Sequence, residues 1–253
     1  MLSQTELYYF SPTGGTKKAG EFFCEGISEN VEEVDFGVRD RKPEQPKSEL
    51  VVIAAPVFGG RIPSLVAEKL KELDGNGKKA VTLTVYGNRA YEDALLELNN
   101  EVQNRGFEII ASAAVVARHS MAPEVGKGRP DAQDRKSILA FAEKVMEKIE
   151  NGSESPIKVP GNYPYKNGMS MPVAPISLPS CNHCRKCADI CPAGAIRLEN
   201  NAIETDAKKC ILCMACTDVC PEHARILPPP LQEKMKQMLG ALKTVRRENE
   251  YFI

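Results

Sequence analysis

The amino-acid sequence predicts an α/β fold: a doubly wound sheet of five parallel strands, then a small α+β unit and a C-terminal helix. Three features lead to this prediction. Over residues 1–150, short apolar segments alternate with segments of helical periodicity. Eight cysteines lie within residues 181–220, and near the end an amphipathic helical pattern follows a run of prolines.

Residues 1–150 have the pattern of a parallel sheet covered by helices on both faces. Apolar strands are predicted at residues 6–10, 31–36, 50–55, 80–86 and 107–117. Between the last two, Tyr91, Leu95, Leu98 and Val102 recur at helical spacing. Strands that alternate with helices in this way favour a sheet whose ligand crevice lies at the carboxyl ends of its strands.

Three further segments follow this first domain. Residues 151–179 contain six prolines and three glycines, which predicts a stiff, ordered linker. Residues 180–227 contain an internal repeat, because 181–198 aligns with 210–227, and Asn200-Asn201 between the halves predicts a hairpin turn. Residues 228–253 predict an amphipathic helix with one apolar face, formed by Leu231, Met235, Met238, Leu239, Leu242 and Val245.

Composition and charge exclude several classes of function. The 253 residues are 42% hydrophobic and 26% charged, with a formal net charge of −1, as in an ordinary globular protein. No basic surface for nucleic acid and no segment long enough to span a membrane is expected. The first residues lack the pattern of a signal peptide, which predicts a cytoplasmic protein.

The cysteine spacing predicts iron–sulfur clusters. Two runs of Cys-x-x-Cys-x-x-Cys-x-x-x-Cys-Pro supply eight thiolates, whereas Cys24 lies apart and is expected to be an inert buried thiol. The alternatives are zinc or free thiols. Zinc sites usually pair two Cys-x-x-Cys units across a longer gap, which these runs do not match.

In sequences with two such runs, the fourth cysteine of each run binds the cluster of the other run. The predicted ligand sets are therefore Cys181, Cys184, Cys187 and Cys220 for one [4Fe–4S] cluster, and Cys210, Cys213, Cys216 and Cys191 for the other. Over its whole length this segment resembles the bacterial-type two-cluster ferredoxins. The resemblance implies one-electron transfer at low potential.

A loop rich in glycine and hydroxyl groups follows the first strand. It reads Ser11-Pro12-Thr13-Gly14-Gly15-Thr16 and leads into a helix. Backbone N–H groups at a helix N-terminus, together with hydroxyl donors, suit a phosphate group. The same loop is also compatible with a plain strand–helix connection that carries an N-cap.

Two further loops leave the sheet at the same edge and combine glycine with an aromatic residue. They are Pro56-Val57-Phe58-Gly59-Gly60 after the third strand and Tyr86-Gly87-Asn88, followed by Tyr91, after the fourth. Aromatic residues in such loops suit a flat ring, although Phe58 and Tyr86 could instead fill the core and Tyr91 could pack on a helix. His119, after the fifth strand, could contact a ligand, shuttle a proton or be a polar loop residue.

With these loops, residues 1–150 resemble a flavodoxin domain. The resemblance implies that the first loop holds the phosphate of FMN through Ser11, Thr13, Gly14, Gly15 and Thr16. It also implies that the isoalloxazine ring lies between the other two loops, with Tyr86 stacking on it. The loop departs from flavodoxins at Gly15, where they often carry asparagine, and at Pro12.

The whole chain resembles the fused flavodoxin–ferredoxin proteins of anaerobic bacteria and archaea. This resemblance implies electron transfer between two [4Fe–4S] clusters and FMN, with a ferredoxin-like protein as donor or acceptor. Two alternatives stay open: an FMN-dependent reductase of a small substrate, and a redox sensor or docking module without FMN. No catalytic residue is predicted, and the direction of electron flow, the potentials and the oligomeric state, a homodimer included, stay open.

Overall fold

A six-stranded sheet forms the centre of the fold in the computed structural model, which describes residues 1–152, 156–169 and 171–253. Five strands are parallel: β1 (Thr5–Tyr9), β2 (Val31–Asp35), β3 (Leu50–Pro56), β4 (Lys79–Tyr86) and β5 (Glu108–Val116). Their order is β2-β1-β3-β4-β5, the flavodoxin-like doubly wound arrangement. The predicted fold class is confirmed, and each predicted strand lies within a residue or two of its position.

Helices cover both faces of this sheet. The helices are α1 (Gly15–Glu25), α2 (Ser64–Leu70), α3 (Ala94–Gln103) and α4 (Ala132–Glu150). One apolar core joins α1 and α4 to the sheet through residues such as Phe23 and Phe141, and a second joins α2 and α3 through Leu70 and Leu98. Cys24 is fully buried in the first core, as an inert thiol would be. Because helices cover both faces, β3 is buried along its whole length.

The strand order fixes where a ligand can bind. The chain passes from β1 outward to β2, then returns across β1 to β3 and continues in the opposite direction. Helices that follow β1 and β3 therefore lie on opposite faces, which leaves a crevice at the carboxyl ends of these two strands. The loops that begin at Ser11 and Val57 flank this crevice.

The cysteine-rich segment is built as two copies of one backbone unit. It contains the short helices α5 (Lys186–Asp189) and α6 (Ala215–Asp218), 29 positions apart in each of their bounds. A hairpin of β7 (Ile196–Glu199) and β8 (Ala202–Thr205) joins the copies. Its turn residues Asn200 and Asn201 have φ values of 48° and 58°, which fits the predicted two-residue turn.

The segment before the cysteines packs on the first domain and ends in a strand. Asp93 accepts hydrogen bonds from the backbone N–H groups of Asn162 and Lys166, at 2.9 and 2.7 Å. Arg61 donates to the Lys166 carbonyl at 2.6 Å. Further on, β6 (Ile176–Ser177) pairs with β9 (Arg225–Ile226), so the chain on either side of the cysteine repeat is held together.

The C-terminal segment differs from the prediction of a continuous helix. The helix α7 (Pro229–Leu239) is followed by a 3₁₀ turn (Gly240–Thr244) and then by β10 (Glu250–Phe252), which adds an antiparallel sixth strand beside β5. Of the predicted apolar face, Leu231, Met235 and Leu239 are buried, whereas Met238 and Val245 are exposed. No helix in the described ranges is long and apolar enough to cross a membrane.

Hydrogen bonds to the backbone explain why the helix stops short. The Asn88 side chain donates to the Val245 carbonyl at 2.8 Å, and the Val116 N–H donates to Asn249 Oδ1 at 2.9 Å. The free edge of β5 offers further N–H and C=O groups, which residues 250–252 satisfy by pairing. These partners lie more than a hundred residues away in sequence, so helical periodicity could not reveal them.

The added strand is expected to contribute to stability through Tyr251. Its ring stacks on Phe141 with a centroid distance of 4.7 Å, and its hydroxyl lies 2.7 Å from Ser137 Oγ. Tyr251→Ala should therefore lower the free energy of unfolding by about 2 kcal/mol in urea denaturation. Val245→Ala, at an exposed position of the same segment, is the control and should change it little. Equal losses in the two variants would contradict a packing role for β10.

Candidate redox site

A cavity of about 370 Å³ opens at the carboxyl edge of the sheet. Pockets that hold small ligands and cofactors usually measure roughly 300–1,000 Å³. Loops that follow β1, β3, β4 and β5 all contribute to its wall, and residues from the linker, the cysteine segment and α7 complete it. The cavity therefore lies at the crevice that the strand order creates, and where the three predicted loops meet.

The first loop turns sharply into α1. Gly14 has a φ of 81°, a backbone conformation that glycine adopts without strain, and the helix begins at Gly15. Ser11 Oγ accepts a hydrogen bond from the Lys17 N–H at 2.9 Å. No acidic residue lies in the first turn of α1, so the helix N-terminus presents N–H groups and no opposing charge.

Gly15 is required by the packing of β5. A Cβ atom at this position would lie 2.9 Å from Ala117 Cβ, closer than side-chain carbons come in proteins. The loop therefore passes directly against the end of β5. This contact gives a physical reason for glycine at the position where flavodoxins often carry asparagine.

The second and third loops bring aromatic rings to the cavity. The Phe58 ring contacts Phe10 edge to face at a centroid distance of 6.3 Å, and Gly59, with a φ of 61°, turns the chain behind it. Tyr86 lies at the end of β4, lines the cavity and is only 4% exposed. Both rings are thus partly core residues and partly cavity wall, so the two interpretations of them are compatible.

The structure brings most of the predicted flavin residues to the cavity wall and places four elsewhere. Those that line it are Ser11, Thr13, Gly15, Thr16, Pro56, Val57, Phe58, Gly59, Tyr86 and Gly87. Gly14 and Gly60 lie in the same turns but do not line the cavity. Asn88 is fully buried and binds the C-terminal segment, and Tyr91 donates to Glu250 at 2.8 Å and packs against Tyr86.

His119 lines the cavity as a neutral imidazole. Its Nδ1 accepts a hydrogen bond from the Met121 N–H at 3.2 Å, so the ring carries its proton on Nε2. Burial, and then the positive charge of Arg89, lower the pKa of His119 to about 4. Its ring packs so closely on Gly87 that a Cβ there would lie 2.5 Å from His119 Cδ2. His119 is thus a partly buried donor at the cavity wall.

The eight cysteines of the repeat fall into two environments. We call Cys191, Cys210, Cys213 and Cys216 the inner set, and Cys181, Cys184, Cys187 and Cys220 the outer set. All four members of the inner set line one narrow cavity, although they come from both copies of the repeat. Among the described residues, no three His, Cys, Asp or Glu side chains are grouped as ligands of a single metal ion.

The backbone of the two copies directs N–H groups at the cysteine sulfurs. Cys191 Sγ accepts from the Ala195 N–H, and Cys220 Sγ accepts from the Ala224 N–H at the equivalent place, both at 3.3 Å. Cys210 Sγ accepts from the Leu212 N–H at 3.4 Å. Hydrogen bonds of this kind stabilise thiolates that bind a metal or a cluster.

Left-handed backbone conformations recur at equivalent positions of both loops. In the first copy His183 and Arg185 have φ values of 57° and 64°, and in the second Leu212 and Met214 have values of 53° and 66°. None of the four is glycine, so each conformation carries strain that the surrounding structure must offset. The identical placement in both copies indicates a shared geometric requirement of the loops that carry three closely spaced cysteines.

Burial distinguishes the two sets. In the outer set Cys184 is exposed and Cys181 partly exposed, whereas in the inner set only Cys210 is partly exposed. Burial raises the pKa of the Cys213 thiol to about 12 and that of Cys216 to about 11. Without a bound metal these sulfurs hold their protons at neutral pH, and metal binding releases them.

The inner set adjoins the cavity at the sheet edge. Cys213 and the preceding Leu212 line that cavity, and Cys213 belongs to the same apolar core as Phe10. An ion pair between Arg118 and Asp218, at 2.7 Å, ties the loop after β5 to α6. The two parts of the chain thus meet where each presents its candidate cofactor site.

Other parts of the cavity wall were not found from the sequence. They come from the linker through Lys166 and Met169, and from α7 through Met235, Met238 and Leu239. Methionines in an apolar stripe are the usual content of a core-facing helix, so the sequence pointed to packing alone. Their place at the cavity follows from how α7 folds back on the sheet domain.

Comparison with known families identifies the cysteine segment. Residues 180–225 match the model of the 4Fe-4S dicluster domain. No curated protein sequence matches the chain. Together with the strand order of the sheet, this match confirms the prediction of a flavodoxin-like fold joined to a ferredoxin-type segment.

Several solved structures match part of the chain at low sequence identity. A flavodoxin from the domain Archaea has 14% identity and a TM-score of 0.40, with 58% of this chain and 99% of that chain covered. Flavodoxin 1 from Bacillus cereus has 16% identity and a TM-score of 0.44, with 57% and 98% covered. Rubredoxin oxygen:oxidoreductase from Desulfovibrio gigas has 15% identity and a TM-score of 0.42. The match covers 58% of this chain and 36% of that chain, so this chain spans about a third of that enzyme.

The lowered pKa of His119 predicts a loss of stability in acid. Its folded pKa of about 4 lies below the ordinary value of 6.5, so between these values the unfolded chain binds a proton that the folded chain does not. Stability should therefore fall as the pH drops from 6.5 toward 4. His119→Asn, whose amide oxygen can accept the Met121 N–H, should remove up to about 3 kcal/mol of that loss.

The measurement is urea denaturation across this pH range. His223→Asn is the control, because His223 is exposed and asparagine tolerates its left-handed backbone. An unchanged pH dependence in His119→Asn would show that this imidazole does not titrate with folding.

Proposed function

We propose that this chain is an electron-transfer protein that couples two [4Fe–4S] clusters to FMN and so connects one-electron with two-electron carriers. The observation that carries the proposal is the position of the two cysteine sets. Cys213 of the inner set lines the cavity at the sheet edge, whereas Cys184 of the outer set is exposed. In this arrangement the outer cluster would lie at the surface, the inner cluster would lie next to the cavity, and FMN would lie in the cavity.

The cavity wall fits FMN in its shape and in its donors. Backbone N–H groups at the start of α1, with the Thr13 and Thr16 hydroxyls nearby, would hold the phosphate without a basic residue. Phe58 and Tyr86 would lie at the ring, and His119 Nε2–H supplies a neutral donor at the same wall. FMN would supply two-electron chemistry when bound, and the residues of the cavity wall would position it and exclude water around it.

The inner set fits a [4Fe–4S] cluster because its four thiols surround a common cavity in a largely apolar wall. The outer set repeats the same backbone turns and sulfur contacts, which supports a second cluster of the same type. Thiolate ligands in apolar surroundings with N–H donors are the setting in which such clusters are stable.

The difference in burial between the two sets supports different roles for them in electron transfer. An external protein can approach the outer set at Cys184, since the loop around it is exposed, and single electrons would then pass through the inner set to the cavity. We expect a ferredoxin-like protein as that partner and a cytoplasmic location. Electrons could move either way along this line, according to the relative potentials.

A second candidate function is the reduction of a small substrate beside the flavin. A neighbouring cavity of about 610 Å³ shares Phe58, Met169 and Leu212 with the first. Its charged lining residues are Arg61, Glu97 and Lys208, and the first two bind each other, with Nη2 and Oε1 2.5 Å apart. A satisfied ion pair offers little to a substrate, so this reading ranks second. Turnover of small acceptors without a protein partner would favour it.

The flavin site predicts different roles for two neighbouring tyrosines. Tyr86→Ala should weaken FMN retention by about tenfold or more, because it removes an aromatic wall of the cavity. Tyr91→Phe is the matched control. It should leave FMN binding unchanged, since Tyr91 does not line the cavity and its hydroxyl serves Glu250. Fluorescence titration of the flavin-depleted chain with FMN measures both, and equal weakening would contradict the proposed ring site.

The proposed function is tested first by composition and then by kinetics. Anaerobically purified chain should contain about eight irons, about eight sulfides and about one FMN. In rapid mixing with a reduced ferredoxin, cluster absorbance should change before flavin absorbance. Irons without flavin, even after reconstitution, would favour the sensor or docking alternative.

A variant of the outer set tests the electron path itself. Cys184→Ala should slow flavin reduction by the protein donor about tenfold or more, because it removes the exposed thiolate of the outer set. Cys24→Ala, a buried thiol of α1 outside both sets, is the control and should leave the rate unchanged. An unaltered rate in Cys184→Ala would show that electrons reach the flavin by another route.

A further inference from the structure

Arg225 is a buried cation in the cysteine segment. It lies on β9 with 3% of its surface exposed. Its Nη1 donates to Ser177 Oγ at 3.0 Å, and its Nη2 donates to the Pro175 carbonyl at 2.8 Å and to Thr205 Oγ1 at 2.7 Å. Within the described ranges its Nε has no hydrogen-bond partner, and the acceptors of its other nitrogens include no aspartate or glutamate.

A buried guanidinium of this kind is costly. Neutral hydroxyl and carbonyl acceptors compensate its charge only in part, so arginine is almost never fully buried unless an anion lies nearby. The acceptors around Arg225 are all neutral. An anion that the protein binds would explain why this charge is kept in the interior.

The surroundings of Arg225 indicate where that anion lies. Pro175 and Thr205, which hold its Nη2, both line the cavity around the inner set of cysteines. Its Nε, which has no partner among the described residues, belongs to the same buried guanidinium, so an unpaired positive charge lies beside this cavity.

Both acceptors of Arg225 Nη2 line the cavity of the inner set, so the structure assigns the charge to that set. The repeat adds a second asymmetry. Isoleucine occupies the equivalent position, Ile196, 29 residues earlier, so at this position only the second copy carries a positive charge.

A fixed positive charge beside a cluster favours its reduced form. A cluster bound by four thiolates is anionic, and one added electron increases its negative charge. The attraction to a nearby cation grows with that charge, and it is strong where water is excluded. The reduction adds one electron to the cluster, and no bond to Arg225 forms or breaks.

We propose that Arg225 raises the reduction potential of the cluster held by the inner set above that of the outer cluster, and so draws electrons toward the flavin cavity. This inference rests on the proposed function, since it requires both clusters. Arg225 is not a ligand of the cluster and acts only through its positive charge. The simpler reading is that it only anchors β6 and β8 to β9 through its three hydrogen bonds.

The test is a redox titration of the whole chain followed by electron paramagnetic resonance. The Cys184→Ala variant identifies which signal belongs to the outer cluster. Arg225→Gln should shift the equilibrium for reduction of the inner cluster about tenfold toward the oxidised form, about 59 mV for one electron. The outer cluster should shift less. Arg225→Lys keeps the charge and should shift the inner cluster by less than about threefold.

A matched control separates charge from anchoring. Ser177→Ala removes a hydrogen bond of Arg225 but no charge, and should leave both potentials unchanged. If Arg225→Gln does not retain its irons, Thr205→Asp replaces it, because a carboxylate beside Nη2 neutralises the charge while Arg225 stays in place. That variant should lower the inner potential in the same direction.

The outcomes distinguish this inference from the function on which it rests. Full iron content with an unchanged inner potential, in Arg225→Gln or in Thr205→Asp, would overturn the role of Arg225 and leave the electron path intact. An equal or larger shift of the outer cluster would overturn it as well. An unaltered chain that assembles no [4Fe–4S] clusters would overturn the proposed function itself, and this inference with it.

Discussion

The contact between the loop around Cys213 and the apolar face of the sheet determines the arrangement of the rest of the molecule. Cys213 and Ala215 are buried in the same core as Phe10 and Ile53, so the cysteine segment is not a separate body on a tether. Because this core is packed, the inner set cannot move away from the sheet edge without exposing apolar surface. The separation of the two candidate sites is therefore a property of the hydrophobic core.

The C-terminal segment closes this arrangement from the other side. The helix α7 supplies Met235 and Leu239 to the cavity wall, and β10 then covers the open edge of β5. Asn88 joins the two, since its side chain binds the carbonyl of Val245 while it lies at the end of β4. Asn88, next to the cavity, thus holds the C-terminal segment whose helix α7 forms part of the cavity wall. The shape of the site therefore depends on how the C-terminal segment folds.

The internal repeat is symmetric in backbone and asymmetric in surroundings. The two copies share their left-handed turns, their short helices and their contacts from N–H groups to sulfur. They differ because one copy faces solvent at Cys184 and the other faces the sheet domain at Cys213. Two similar sites placed in different environments acquire different properties without any change in their ligands, since burial and nearby charge tune such centres.

The sequence alone determined the elements whose physical requirements are local. Cysteine spacing reveals thiolate sites, alternating apolar segments reveal a parallel sheet, and Asn200-Asn201 reveals a hairpin turn, because each depends on neighbours within a few residues. Only the tertiary structure decided the roles of Asn88, β10 and Arg225. Their partners lie far away in the chain, and the same residue types serve equally well as ligands, packing groups or surface charges until those partners are in place.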